Sequence, residues 1–140
     1  MFPKIAISVV LVMVLGFGTG TAAEPEKEKA AVSAAIHWLA LVDGGKYAES
    51  WSAAAAYFQV AVTESQWTQS LQSVRAPLGK LVSRKVMRKS YHTTLPGAPD
   101  GEFVVIQFQT SYENKKSAVE TVTPMVDPDG EWRVSGYYIR

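Results

Sequence analysis

Apolar residues recur every three or four positions from Ala30 to Lys80 and every second position after it. That switch of period confines the chain to helices first and strands second. A charged lead-in, Glu24 to Lys29, precedes the first helical run, and Pro25 and Glu26 suit a helix start. From Ala30 to Val42, residues Ala31, Ala35, Trp38, Leu39 and Val42 fall on one helical face, and Asp43-Gly44-Gly45 stops it. A second helix begins near Lys46 or Tyr47, with Tyr47, Trp51, Ala54, Ala55, Phe58 and Val62 on one face. The run Ala53-Ala54-Ala55-Ala56 leaves room for another helix to approach. Thr63 and Gln66 have the spacing of a capping box. They open a third helix with Trp67, Leu71 and Val74 inward, which Pro77 and Gly79 end.

Four strands follow: Leu81–Thr94, Phe103–Tyr112, Ala118–Val126 and Trp132–Ile139. The links around Pro96-Gly97, Glu113-Asn114 and Pro128-Asp129-Gly130 are turn chemistry, so neighbouring strands run antiparallel. The expected fold class is α+β, with three N-terminal helices packed on one face of a four-stranded antiparallel meander. Pro124 lies inside the third strand, where it cannot donate to a ladder, so a bulge or kink is expected there.

The first 23 residues read as a secretory signal. Lys4 is their one charge, Ile5 to Phe17 is apolar, and Thr21-Ala22-Ala23 supplies the small exit residues. The expected organisation is a signal at 1–23 and a single domain at 24–140, in the periplasm or secreted. The alternative is an uncleaved N-terminal membrane anchor. After cleavage no membrane span is expected, because the apolar core is short. The formal charge of +1 falls to zero without Lys4. A balanced chain lacks the positive excess that captures nucleic acid. The absence of cysteine excludes disulfides, thiolate metal sites and cysteine nucleophiles.

Catalytic groups are sparse. His37 and His92 have no second ligand at metal spacing, so neither a metal nor a cofactor is expected. Asp43, Asp127 and Asp129 sit in turn sequences, and Glu120 is placed in a strand, facing water or a pocket. No nucleophile-elbow, zincin, P-loop or dinucleotide motif occurs. Arg84, Lys85, Arg88 and Lys89 form a basic run on the first strand. Strict alternation sets Lys85 and Lys89 on one face and Arg84 and Arg88 on the other. That run reads either as a site for an anion, an acidic protein or lipid head groups, or as an edge strand guarded against aggregation. Trp38, Trp51, Phe58, Phe108 and Trp132 have core periodicity. Tyr137 and Tyr138 face opposite ways, so at most one enters a pocket.

The segments Val74-Arg75-Ala76-Pro77-Leu78-Gly79, Pro99-Asp100-Gly101-Glu102-Phe103 and Trp132-Arg133-Val134-Ser135-Gly136-Tyr137-Tyr138 resemble the bacterial family called domain of unknown function 4019, over most of residues 30 to 140. The resemblance implies no activity. The element order is also similar to the nuclear-transport-factor-two-like, or cystatin-like, fold, which implies a curved sheet forming a cone around a helix. A pocket in such a cone has His37, Tyr47, Tyr91, Tyr112 and Tyr137 as candidate lining residues. Three functions follow as expectations: a non-catalytic module for a small apolar or amphipathic ligand or an envelope protein; a pocket enzyme of isomerase or dehydratase type using His37 and a Tyr as acid and base; and a homodimer built on the outer face of the sheet.

Overall fold

The computed structural model describes residues 4–140, with side chains from Glu24 onward; the side chains of the expected signal, Met1 to Ala23, lie outside the described residues. Helix α1 spans Lys4–Asp43 and runs through Pro25 rather than starting there. Pro25 removes one backbone hydrogen bond, but Ala, Glu and Lys on either side are strong helix formers. Among the described residues no helix is long and apolar enough to cross a membrane. The end of α1 is a Schellman motif. Lys46 N–H donates to the Leu41 carbonyl at 2.8 Å and Gly45 N–H to that of Val42 at 3.1 Å, with Gly45 at φ 74°.

The expected second helix is two, so the described residues form four α-helices rather than three: α2 is Tyr47–Ser52 and α3 is Ala56–Ala61. Alanine propensity alone would carry the helix through. Tertiary partners override it. Ala55 is extended, and its N–H donates to the Val134 carbonyl at 2.8 Å. The next N–H, of Ala56, donates to Asp127 Oδ1 at 3.2 Å. The alanine run thus admits a strand, not a helix. Helix α4, Glu64–Val74, has the expected capping box of Thr63 and Gln66. A short 3-10 turn, Ala76–Leu78, follows it.

Strands β1 Leu81–His92, β2 Phe103–Tyr112, β3 Lys115–Val126 and β4 Trp132–Ile139 form one antiparallel sheet in chain order. The α+β class expected from the period switch is therefore present. The irregularity expected at Pro124 is there: Thr123 pairs with Gly136 but Pro124 with Val134, leaving Ser135 as the extra residue on β4. A second bulge was not legible. Val86 pairs with Phe108 and Arg88 with Gln107, so Met87 is inserted and the alternation inverts. Arg84 and Lys89 share the helix-facing side, and Lys85 and Arg88 the other, which corrects the pairing read from strict alternation.

The core lies between the sheet and the helices. Ala31, Ala35, Trp38, Leu39 and Val42 of α1 pack on Val104, Ile106, Phe108, Val122 and Val134. Trp38, Trp67, Phe58 and Tyr137 fill the centre, with ring centroids 4.9 to 6.3 Å apart. Buried Ser50 satisfies two indoles there: Trp38 Nε1 donates to its carbonyl at 2.8 Å and Trp67 Nε1 to its Oγ at 2.9 Å. A cone with an open centre is not what these side chains build.

Candidate functional site

Two arrangements of polar side chains stand out, one closed and one open. The closed one is centred on Glu120. Alternation puts Ala118, Glu120 and Val122 on the helix side of β3, and Glu120 is fully buried. It therefore faces neither water nor an open pocket. Its Oε1 accepts from Arg84 Nε at 2.6 Å and Thr110 Oγ1 at 2.6 Å. Its Oε2 accepts from Arg84 Nη2 at 3.2 Å and from the Tyr137 hydroxyl. Arg84 also donates to Asp43, at 2.7 Å and 3.0 Å, and Arg75 Nη2 donates to Asp43 Oδ1 at 3.2 Å. Two carboxylates and two guanidiniums thus balance. Asp43, at the carbonyl-bearing C-terminal end of α1 where a negative charge is unfavourable, is compensated by both arginines.

Burial alone would push the Glu120 carboxyl up, but the hydrogen bonds and charge of Arg84 outweigh it and hold it below the usual carboxylate range. Burial and then the Glu120 charge push the hydroxyls of Tyr137 and Tyr112 well above the ordinary tyrosine value. Arg84 is held in its charged form by Asp43 and Glu120 against the effect of burial. The Arg75 guanidinium lies 4.4 Å from the Tyr112 ring centroid and donates to the Gly79 carbonyl at 2.6 Å. Gly79 adopts φ 78°, and a Cβ there would meet Glu113 Oε1 at 2.9 Å. Chemically, Glu120 is a carboxylate with its acceptor positions filled. It clamps β1, β2 and β4 to β3, Arg84 extends the tie to α1 through Asp43, and no lone pair is turned toward a substrate proton.

The open arrangement is a groove of about 830 Å³ between α1 and the β3–β4 end of the sheet. Ala30, Ser33, Ala34 and His37 recur along one face of α1 and form its floor, and Trp132 and Arg133 of β4 form its wall. Arg133 is fixed by Asp127 Oδ2 at 3.1 Å and Asp129 Oδ1 at 2.8 Å, and that bond lowers the Asp129 carboxyl. Glu131 stands at the rim. A smaller apolar cleft of about 310 Å³ lies where Trp67, Leu71 and Val74 of α4 meet Tyr137 and Tyr138.

The five pocket candidates are dispersed. His37 lines the groove and is exposed. The Tyr137 hydroxyl donates to Glu120, and the residue also borders the apolar cleft, whereas the buried Tyr112 hydroxyl has no hydrogen-bond partner among the described residues. Tyr91 donates to Glu102 Oε1 at 2.9 Å, beside Lys27, which pairs with the same carboxylate at 2.8 Å. Tyr47 packs against the rim of the core. Sequence reasoning missed Asp43, Arg75 and Arg84 as a buried set, and Trp132 as a groove wall. Among the described residues no three His, Asp or Glu side chains are grouped to hold a metal. No curated protein and no solved structure matches the chain. A family model matches residues 34–137, the stretch that carries every member of the Glu120 cluster and most of the groove. The chain belongs to the family described as protein of unknown function, DUF4019.

Proposed function

We propose that the chain is an exported, non-catalytic binding module, and that the groove between α1 and β4 holds a small amphipathic ligand. The observation that carries this reading is the contrast between interior and surface. The interior is filled by Trp38, Trp67, Phe58 and Tyr137 around a saturated carboxylate, and the large concavity lies outside it. The groove has an apolar floor and wall in Ala30, Ala34 and Trp132, with His37, Glu131 and Arg133 to fix a polar end. Export rests on the leader pattern of Lys4, Ile5 to Phe17 and Thr21-Ala22-Ala23.

The enzyme reading needs His37 and a tyrosine in one open pocket. His37 is in the groove, whereas the Tyr137 hydroxyl is committed to Glu120 inside. A dimer on the outer face of the sheet draws less support, because Gln107, Gln109, Ser111 and Thr123 interrupt Val105, Val119 and Tyr138 there. Amide and indole NMR shifts of the full chain against a library of small amphipathic fragments test the proposal. Hits are expected at Ser33, His37 and the Trp132 indole. Shifts centred on Leu39, Phe58 and Ile106 instead would mean an interior that opens, and shifts centred on Val74 and Tyr138 would mean binding in the smaller cleft; either would overturn it.

A further inference from the structure

We infer that the free edge of β1 is a docking strand for an extended acidic segment of another protein, which adds to the sheet as a fifth strand. β1 has twelve residues and pairs along one side with β2. Among the described residues no strand lies on its other side. Its apolar residues are unusually open: Val82 is 65% exposed, Val86 41% and Met87 45%. From Lys80 to Thr94 there is no acidic residue. Arg84 is neutralised inward by Asp43 and Glu120. Lys85, Arg88 and Lys89 are exposed, and among the described residues none of them has an ion-pair partner.

The charge continues round the end of the sheet. Lys115 and Lys116, the first residues of β3, are exposed, and Lys116 shares a cleft of about 330 Å³ with Lys85, Ser83, Ser111 and Gln109. The acid of the β2–β3 turn, Glu113, is held by the Lys80 backbone N–H at 2.7 Å. The exposed acids lie elsewhere, Glu24, Glu26, Glu49 and Glu64 on the helices and Asp100, Glu113, Asp129 and Glu131 in the loops of the sheet, so a chain of near-zero net charge has a basic strand in β1.

Charge on an edge also deters unwanted pairing. Here it decides between partners. Two copies joined antiparallel through β1 would set lysines and arginines opposite one another, which is destabilising. An acidic strand meets the same residues with the opposite sign, and the unpaired backbone groups supply a ladder. The bulge at Met87 divides that ladder into Ser83–Val86 and Arg88–His92. An anionic bilayer would use the cations but not the backbone.

Fluorescence anisotropy of a labelled octapeptide of alternating Glu and Thr against the full chain reads this directly. The peptide is expected to bind. Lys85→Glu with Arg88→Glu should weaken it about tenfold or more, as should raising salt to about 0.5 M. The same peptide N-methylated at alternate backbone positions keeps its charge and loses the ladder, so it is expected not to bind. Equal binding of the N-methylated peptide would overturn strand addition. So would capture of the chain by phosphatidylglycerol vesicles without binding of the peptide, which would assign the edge to a lipid surface. Trp132→Ala should leave peptide binding intact, which separates this surface from the groove.

Discussion

Glu120 shows what a single side chain decides in this molecule. Four donors, from Arg84, Thr110 and Tyr137, hold its two oxygens in a fully buried position. Breaking such a pair leaves a buried guanidinium undercompensated, which costs about 3 to 5 kcal/mol in comparable cases. Glu120→Gln is therefore expected to lower stability by about 3 kcal/mol, measured by urea unfolding at neutral pH, with Asp43 still retaining part of the Arg84 charge. The sign of the pH dependence follows from the depressed carboxyl. Its stabilisation is complete above the unfolded value, about 4.3, and is lost as pH falls through the lower folded value. Acid unfolding below about pH 4 should be less steep in Glu120→Gln than in the parent. Tyr112 and Tyr137, pushed up by burial and by Glu120, should stay protonated beyond about pH 10. Replacing both by Phe should leave the phenolate absorbance change between about pH 9 and 11 unchanged. The sequence reading left Glu120 facing water or a pocket, and its full burial came only with the structure. Its partners were not legible either, because Arg84 and Asp43 are brought to it by tertiary packing across long sequence distances.

At the scale of elements, the helix between Tyr47 and Val62 is the informative failure of the sequence reading. Its apolar face is continuous, and the alanines favour a helix throughout. Two distant acceptors, the Val134 carbonyl and the Asp127 carboxylate, take the N–H groups of Ala55 and Ala56 and divide it. Asp127 thus serves α3 from the far end of the chain, as well as holding Arg133. Asp127→Ala should cost about 1 kcal/mol, the range of a lost helix cap, and Asp127→Asn less. Thermal unfolding of the two variants checks this. The capping box at Thr63, the four strands and the irregularity at Pro124 were legible because each depends on neighbours in sequence. The Met87 bulge was not, since nothing local marks it. It moved Lys89 to the helix-facing side of the sheet and Arg88 to the outer side.

At the scale of the whole molecule, net charge and charge arrangement say different things. A balanced composition gives the chain no strong net positive field. It conceals a strand, β1, that carries exposed Lys85, Arg88 and Lys89 and no acid. The groove is likewise a property of the assembled chain. His37 lies on α1 and Trp132 on β4, with most of the sequence between them. The helix–strand order was enough to read the α+β class, and the packing of Trp38, Trp67 and Tyr137 then closed the interior that a cone would have left open.

The central claim is a groove that holds a small ligand beside a closed core. Native mass spectrometry of the protein, purified without denaturation from the organism that makes it, tests this most directly. The account predicts an added mass that leaves on denaturation and is missing from a Trp132→Ala variant made in the same host. The polypeptide mass alone, in both proteins, would contradict it.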